Sequence, residues 1–370
     1  MGLLNARWPQ RLADLPWGIV LLVLGIGLFG MLVLYSAAGG HPEPWALNHG
    51  VRLLLFLLLM LAMSQLDLAH WARMAAPVYF VVLAALILVE VLGAVRGGAQ
   101  RWLDLGFMRL QPSELMKIAL VLMLARIYHF MPAGYAGRLA GMWLPIALIL
   151  MPVGLVLLQP DLGTAVTLVA GGAVMMFLGG LPKRWLVVPG LLAAAALPFV
   201  YNMLHDYQQR RVMTFLDPSI DPLGAGYHIT QSKIAIGSGG LAGKGFLQGS
   251  QAHLHYLPEQ HTDFVFATMA EEWGFAGGAA LIIGFGVLLG WAWRLAITCE
   301  TAFARLVCAG LATTIFFYVF INIAMVMGLA PVVGIPLPLV SYGGSAMLTV
   351  MMAVGILLSM HRQRRSSRLD

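Results

Sequence analysis

The sequence predicts an all-α polytopic membrane protein with about ten transmembrane helices. Its 370 residues are 60% hydrophobic and only 10% charged, whereas soluble domains carry about 25% charged residues. Apolar runs of about 20 residues recur along the chain, which is the length that a helix needs to cross the hydrocarbon core. Short segments of alternating polarity, typical of a membrane β-barrel, are not visible.

Each predicted span is an apolar run bounded by polar or turn-forming residues. The spans lie at 16–36, 50–65, 74–93, 112–130, 142–158, 162–180, 185–204, 264–293, 303–327 and 340–360. A long polar loop, at about 205–263, separates the seventh span from the eighth. We expect residues 1–370 to form a single transmembrane domain.

The basic residues predict the orientation of the chain. Their excess in the short loops places the N-terminus in the cytoplasm. The run H-R-Q-R-R-S-S-R at 361–368 places the C-terminus on the same side, which agrees with an even number of spans. The loops at 94–111 and 205–263 then lie on the outer face. Both carry cations that topology does not require there, so both are candidates for function. The basic residues are not clustered with aromatic residues, so no nucleic-acid partner is expected.

The stretch Leu257–Gly274 holds the main candidate for catalysis. Asp263 lies where the polar loop meets an apolar helix, and a carboxylate that is half removed from water can serve as a base. His261 is a hydrogen-bonding neighbour rather than a metal ligand, because no second histidine lies at ligand spacing. Glu271 and Glu272 fall inside the eighth span, where structural pairing is the favoured interpretation.

Four more candidates lie on the outer side, three of them at predicted helix ends and Trp102 in the loop before the fourth span. Glu114 and Lys117 are spaced i, i+3 and share a helix face, so they form either a structural ion pair or part of a substrate site. Asp161 is favoured as a helix cap over a cation ligand. Trp102 is favoured as an interfacial anchor over a sugar-stacking residue.

The cations of the long loop allow two interpretations. The four cations either face solvent or lipid headgroups, or they form part of an anion site: Arg210, Arg211, Lys233 and Lys244. The glycine-rich stretch Ile236–Gly245 lacks the residues of a phosphate-binding P-loop. Its turn amides would still be able to bind an anion.

The stretch before the last span combines prolines with small polar residues. Prolines at 331, 336 and 338 impose non-helical backbone, which is tolerated at membrane depth only inside protein or beside a cavity. A helix beginning near Ser341 would point its free amides at that cavity. The sequence therefore predicts either a pyrophosphate cradle or a tight helix contact, formed by Ser341, Gly343, Gly344 and Ser345.

Taken together, five stretches resemble the SEDS family of polytopic membrane glycosyltransferases. They are Gly98–Glu114, Gln159–Thr164, Asp221–Gly240, Leu257–Ala267 and Pro338–Ala346. They occur in the family's order along nearly the whole chain. The motifs Q-P-S-E and Q-P-D-L-G favour the branch that acts in cell elongation.

The resemblance implies an enzyme of the bacterial inner membrane. It would polymerise lipid II, an undecaprenyl-pyrophosphate-linked disaccharide peptide, at the periplasmic face during elongation and rod-shape maintenance. Its partners would be a class B penicillin-binding protein transpeptidase and other proteins of the elongation machinery. The resemblance also implies a variable dependence on a divalent cation, Mg²⁺ or Mn²⁺, whose site the sequence does not identify.

The family's essential aspartate corresponds to Asp263, and its functional glutamate and lysine correspond to Glu114 and Lys117. With Asp263 as the base, the departing pyrophosphate would need a positive charge. The candidates for that charge are Lys117, Arg101, Arg210, Lys233 and a bound cation.

Two other functions share these features. A lipid II flippase would also have many spans, broken helices and central charges, and a docking scaffold would need no chemistry. A flippase requires sites that are reachable from both faces, whereas the candidate residues here cluster on one face. This clustering favours the enzyme.

Overall fold

The computed structural model describes residues 12–366 apart from 93, 97–98, 105–108, 133, 204–205, 222–223, 255 and 258. Residues 1–11 and 367–370, on which the predicted orientation partly depends, lie outside this part of the chain.

Each of the ten predicted spans coincides with a helix. They are α1 (Trp17–Ala37), α2 (Ala46–Met63), α3 (Leu68–Leu92), α4 (Pro112–Phe130), α5 (Leu139–Leu158), α6 (Leu162–Leu178), α7 (Arg184–Met203), α11 (Val265–Thr298), α12 (Ala302–Val326) and α13 (Gly344–Ser366). The labels α8 to α10 belong to the helices of the long loop, α8 (Asp206–Leu216), α9 (Ala225–Ser238) and α10 (Ser250–His253).

Seven described helices are long and apolar enough to cross a membrane: α1, α2, α3, α5, α11, α12 and α13. The apolar helix α6 is shorter. Helix α4 is less apolar because it carries Glu114, Lys117 and Arg126. The chain is therefore a helical, multi-pass membrane protein, while the number of ten crossings remains a prediction.

The centre of the bundle is formed by α4, α12 and α13. Helix α4 packs against α3, α6 and α12, and α12 also contacts α11 and α13. The apolar window of α13 is 83% buried within the protein, against 28% for α11. Polar side chains on these central helices therefore face protein instead of lipid.

A small antiparallel sheet on the loop before α4 was not predicted. Its strands are β1 (Ala94–Arg96), β2 (Ala99–Asp104) and β3 (Arg109–Leu110), in the order β1-β2-β3. Trp102 pairs with Ala94, and Asp104 pairs with Arg109. The all-α prediction holds for the bundle, and the sheet is an addition to it. Strands this short give too little alternation for a sequence pattern to reveal.

The long polar loop is largely helical where the structure describes it. Helix α8, a 3₁₀ turn at Pro218–Ile220, α9 and α10 occupy it, and α9 packs against α11. The loop is therefore a folded cap on the end of the bundle that holds Asp263.

Candidate active site

Asp263 lies in the turn that leads into α11, and its side chain is half-buried. Its neighbour Phe264 is 2% exposed and anchors the turn in the core. Gly334, which has a φ of +70°, faces the carboxylate: a Cβ added there would lie 3.5 Å from Asp263 Oδ2. The carboxylate therefore points at the segment before α13 and not at the bilayer.

Asn322 on α12 holds this turn in place. Its Nδ2 donates to the carbonyl oxygens of Asp263, at 2.9 Å, and of Ile335, at 2.7 Å. Asn322 is fully buried, and one amide group thus ties together the two loops that meet at the aspartate. Sequence reasoning missed Asn322, although an asparagine within an apolar span is the available signal.

Glu114 and Lys117 form a buried ion pair with a third member, Tyr318 of α12. Lys117 Nζ lies 2.6 Å from Glu114 Oε1 and donates to the Tyr318 hydroxyl at 2.9 Å. The Tyr318 hydroxyl donates in turn to Glu114 Oε2. All three residues are at most 5% exposed. The i, i+3 pairing expected from the sequence is confirmed, and Tyr318 is a residue that sequence reasoning missed.

The ion pair and the aspartate meet on one face of α12. Tyr318 and Asn322 are four residues apart, which separates their backbones by about 6 Å along the helix. Tyr318 binds the pair and Asn322 binds the aspartate's turn. Lys117 and Tyr318 also line a small pocket between α4, α6 and α12. The structure therefore brings the three family residues to one region through two side chains of a single helix.

An aromatic cluster lies beside Asp263. The His261 ring stacks on Trp45, with centroids 4.1 Å apart and planes 6° from parallel. The His261 carbonyl accepts from the backbone amide of Tyr342 at 2.8 Å. Burial lowers the pKa of His261 below its usual 6.5, and the Glu259 carboxylate opposes that shift. His261 is thus a neutral packing and positioning residue at pH 7.

The start of the last helix differs from the prediction. Helix α13 begins at Gly344, so Ser341 and Gly343 precede it. The Ser341 hydroxyl accepts from the amide of Leu337 at 2.8 Å and supports the turn. The Ser345 hydroxyl accepts from the amide of Gln111 and donates to the carbonyl of Arg109.

Gly343 packs tightly, because an added Cβ would lie 3.0 Å from Pro336. Both serine hydroxyls are already bound within the protein, and the prolines delay the helix by about one turn.

The outer loop residues support the fold in the structure. Asp161 caps α6 by accepting from the amide and hydroxyl of Thr164, as the cap interpretation expected. Arg101 donates to the carbonyl of Gln159 at 2.9 Å and to that of Pro160. Trp102 is half-buried on β2.

Gln111 joins Asp161 through its side-chain amide. These bonds fasten the small sheet to the α5–α6 turn.

Two cations of the long loop are exposed. Arg210 lies on α8 and Lys233 on α9. The Lys233 amine packs over Gly328 in the turn after α12, since an added Cβ there would lie 2.7 Å from Nζ. Neither residue joins the buried triad of Glu114, Lys117 and Tyr318.

The glycine-rich turn binds protein instead of offering its amides to an anion. Gly274 has φ 61° and ψ −162° and breaks α11. The carbonyls that this break frees, those of Glu271 and Glu272, accept from the amides of Lys244 and Gly245 at 3.0 Å each. The expectation of an anion site at these two amides is therefore wrong.

The side chains around this kink are paired. Lys244 Nζ lies 2.6 Å from Glu271 Oε1, so it serves as the counter-charge of a fully buried carboxylate. Ser36 donates to Glu272. The structural pairing favoured for both glutamates is confirmed.

The described residues do not form a closed metal site. No three histidine, cysteine, aspartate or glutamate side chains lie together in this part of the chain. Glu114 is bound by Lys117 and Tyr318, and Asp161 by Thr164 and Gln111. With these partners, the residues do not fit a protein-built site for Mg²⁺ or Mn²⁺.

Comparison with known proteins gives consistent relatives over nearly the whole chain. Residues 16–366 match the cell cycle protein family FtsW/RodA/SpoVE. The chain is 44% identical to the peptidoglycan glycosyltransferase MrdB of Escherichia coli strain K12 over 348 residues, which cover 94% of this chain and 93% of that relative.

Two solved structures are similar as well. The rod shape determining protein RodA of Thermus thermophilus is 35% identical with a TM-score of 0.72, covering 95% of this chain and 97% of that one. A chain of the structure described as "Structural coordination of polymerization and crosslinking by a peptidoglycan synthase complex" is 37% identical with a TM-score of 0.83, covering 95% and 98%.

Proposed function

We propose that Asp263 is the general base of this protein and that lipid II is its substrate, because the chain belongs to the FtsW/RodA/SpoVE family of cell cycle proteins. The chain is a peptidoglycan glycosyltransferase of cell-wall elongation. The acceptor sugar hydroxyl would lose its proton to the Asp263 carboxylate as its oxygen attacks the anomeric carbon of the donor. The bond from that carbon to the pyrophosphate breaks with inversion, and the lipid pyrophosphate leaves.

The observation that carries this proposal is the environment of Asp263. Its carboxylate is half-buried and faces Gly334, while its backbone is held by Asn322. A carboxylate in such a site can be reached by the sugar head group of the substrate and has a fixed direction, as general-base catalysis requires. The Lys117–Glu114–Tyr318 triad, one turn away along α12, supplies a rigid floor in which the Lys117 charge is balanced by Glu114.

Several cations are candidates for neutralising the negative charge of the leaving pyrophosphate. Lys117 borders the pocket between α4, α6 and α12. Arg101 already donates to two carbonyls, so it has fewer donors left for a phosphate. Arg210 and Lys233 are exposed and would act from the loop.

The test of the base is the Asp263→Asn variant, purified in detergent and supplied with labelled lipid II. Loss of a general base lowers turnover by about 10²- to 10⁴-fold. The matched control is Asp217→Asn, an exposed aspartate of the long loop that caps a turn at Ser219. Near-normal polymer from Asp263→Asn would remove Asp263 from the mechanism.

The same assay separates the enzyme from the flippase and the scaffold. Detergent micelles have no two compartments, so only an enzyme yields polymer in them. A preparation that moves lipid II across vesicles but makes no polymer would favour the flippase.

We also infer a class B penicillin-binding protein as partner, together with other elongation proteins. The support is the similarity to a chain from a synthase complex that coordinates polymerization and crosslinking. We place the protein in the bacterial inner membrane with both termini in the cytoplasm, on the charge of the short loops. The orientation is tested by introducing a cysteine at either terminus of the protein and treating intact cells with a membrane-impermeant thiol reagent. A cytoplasmic cysteine stays unlabelled.

A further inference from the structure

An apolar groove between α1 and α2 opens at the end of the bundle that holds Asp263. It is lined by residues that include Met31, Leu32, Leu47, Val51, Leu54 and Phe246. Leu32, Leu47, Val51 and Leu54 are between 44% and 58% exposed, so the groove is reached from the side of the bundle. Trp45, which stacks on His261, directly precedes the groove residue Ala46 in the chain.

Arg52 lies next to this groove, on the neighbouring face of α2. Its guanidinium carbon is 4.7 Å above the Tyr342 ring, and its Nη2 lies 3.4 Å from the Tyr342 hydroxyl. The side chain is half-buried. None of the ion pairs that the structure describes includes Arg52. A half-buried guanidinium outside these ion pairs keeps donors that the oxygens of an anion could accept from.

The first turn of α13 adds to this imbalance. A Cβ added at Gly344 would lie 3.5 Å from Arg52 Nη1, so the guanidinium sits at the helix N-terminus. That end of a helix carries a partial positive charge and favours anions over cations. Arginine is also the residue that binds phosphate oxygens with two parallel donors. The Arg52 guanidinium and the N-terminus of α13 are both positive and lie together, and the neighbouring residue Val51 lines the apolar groove. This combination fits an amphiphile with an anionic head group.

We propose that Arg52 binds the pyrophosphate of a polyprenyl-pyrophosphate-linked substrate and that the α1–α2 groove holds the beginning of its polyprenyl chain. The proposal rests on the function proposed above, because it specifies where the lipid anchor of the substrate is held. Val51 and Arg52 are consecutive, so they point about 100° apart on α2, one toward the groove and the other toward α13. The anchor would thereby be fixed beside His261, two residues from Asp263.

The direct test is binding, measured on the full-length protein. The probe is undecaprenyl pyrophosphate with a photoreactive group on its chain. We expect crosslinks to α1 and α2 and a dissociation constant that rises about tenfold or more in Arg52→Gln, since a charge-assisted hydrogen bond is lost. Arg52→Lys should fall between the two, because it keeps the charge and loses the paired donors.

Two controls exclude simpler explanations. Arg305→Gln removes an exposed charge at the opposite end of the bundle and should leave binding unchanged. Val51→Trp should weaken binding by filling the groove, without altering a side chain near α13. Equal competition by phosphatidylglycerol would show an ordinary lipid site and overturn the proposal, as would unchanged binding in Arg52→Gln.

The result is distinguishable from failure of the proposed function. If Asp263→Asn polymerises lipid II normally, Asp263 is not the base, yet the binding comparison between Arg52 and Arg52→Gln is unaffected. In the otherwise unaltered protein, Arg52→Gln should raise the half-saturating lipid II concentration about tenfold or more. An unaltered half-saturating concentration would overturn the assignment of Arg52.

Discussion

Asn322, four residues before the end of α12, donates its side-chain amide to the backbone carbonyl of Asp263 at 2.9 Å. The same amide binds the carbonyl of Ile335 at 2.7 Å. The candidate base is therefore positioned by a residue of a different helix, which also fixes the loop opposite its carboxylate. Motion of α12 would move the aspartate's turn and the Lys117 triad together.

The first prediction concerns this amide. Asn322→Leu keeps the size of the side chain and removes both hydrogen bonds. We expect at least a tenfold loss of turnover and a loss of about 1–3 kcal/mol of stability, because two carbonyls lose their donor. Thr313→Val is the control, since the Thr313 hydroxyl bonds only within its own helix. Full activity in Asn322→Leu would show that the aspartate's turn holds its geometry unaided.

The second prediction separates structure from chemistry at the buried pair. Lys117→Met leaves the Glu114 carboxylate without its counter-charge and should destabilise the protein by about 3–5 kcal/mol and abolish polymerisation. The double variant Lys117→Met/Glu114→Leu removes both charges, and we expect most of the stability to return. Thermal unfolding in detergent and the lipid II assay are measured side by side. Recovery of activity together with stability would assign the pair a purely structural role.

The third prediction concerns the break in α11. Gly274 occupies a backbone region that is essentially restricted to glycine, and an added Cβ would lie 2.3 Å from the amide nitrogen of Gly243. Gly274→Ala should therefore cost at least about 1–3 kcal/mol. Gly286→Ala in the same helix has open space around its Cβ and should be neutral or stabilising by up to about 1 kcal/mol. Equal unfolding temperatures for the two variants would contradict this account of the kink.

The fourth prediction is a dependence on pH at His261. Burial lowers its pKa in the folded protein below 6.5, so the unfolded chain takes up a proton first as the pH falls. The stability that neutral His261 contributes is therefore present above about pH 6.5 and declines as the pH falls through that value. His261→Gln should unfold with a smaller difference between pH 7.5 and pH 5.5 than the unaltered protein. An identical difference in both would exclude His261 as the source.

Several parts of the site were predictable because they depend on local rules. The i, i+3 spacing of Glu114 and Lys117 predicted their ion pair, and the position of Asp161 before an apolar run predicted its cap. The pairing of Glu271 and Glu272 followed from the cost of leaving carboxylates in lipid. In each case the sequence neighbours alone restrict what the side chain can do.

Other parts depend on contacts that join distant positions. Tyr318 and Asn322 were missed because their partners lie about 200 and 60 residues away. The glycine-rich turn was assigned free amides because the kink at Gly274, which binds them, is a tertiary contact. Arg52 was not among the predicted site residues, since nothing local places it on Tyr342.

The sequence by itself determined that the chain is a helical membrane protein, where its apolar helices run, and that it belongs with the SEDS glycosyltransferases. Hydrophobic length and family motifs are carried by neighbouring residues, so they survive without a structure. Only the tertiary structure decided which polar groups are satisfied by protein and which face the site of Asp263. A hydrogen bond or an unpaired charge is a property of two positions in space, and the folding of α12 and α13 against α4 sets those positions.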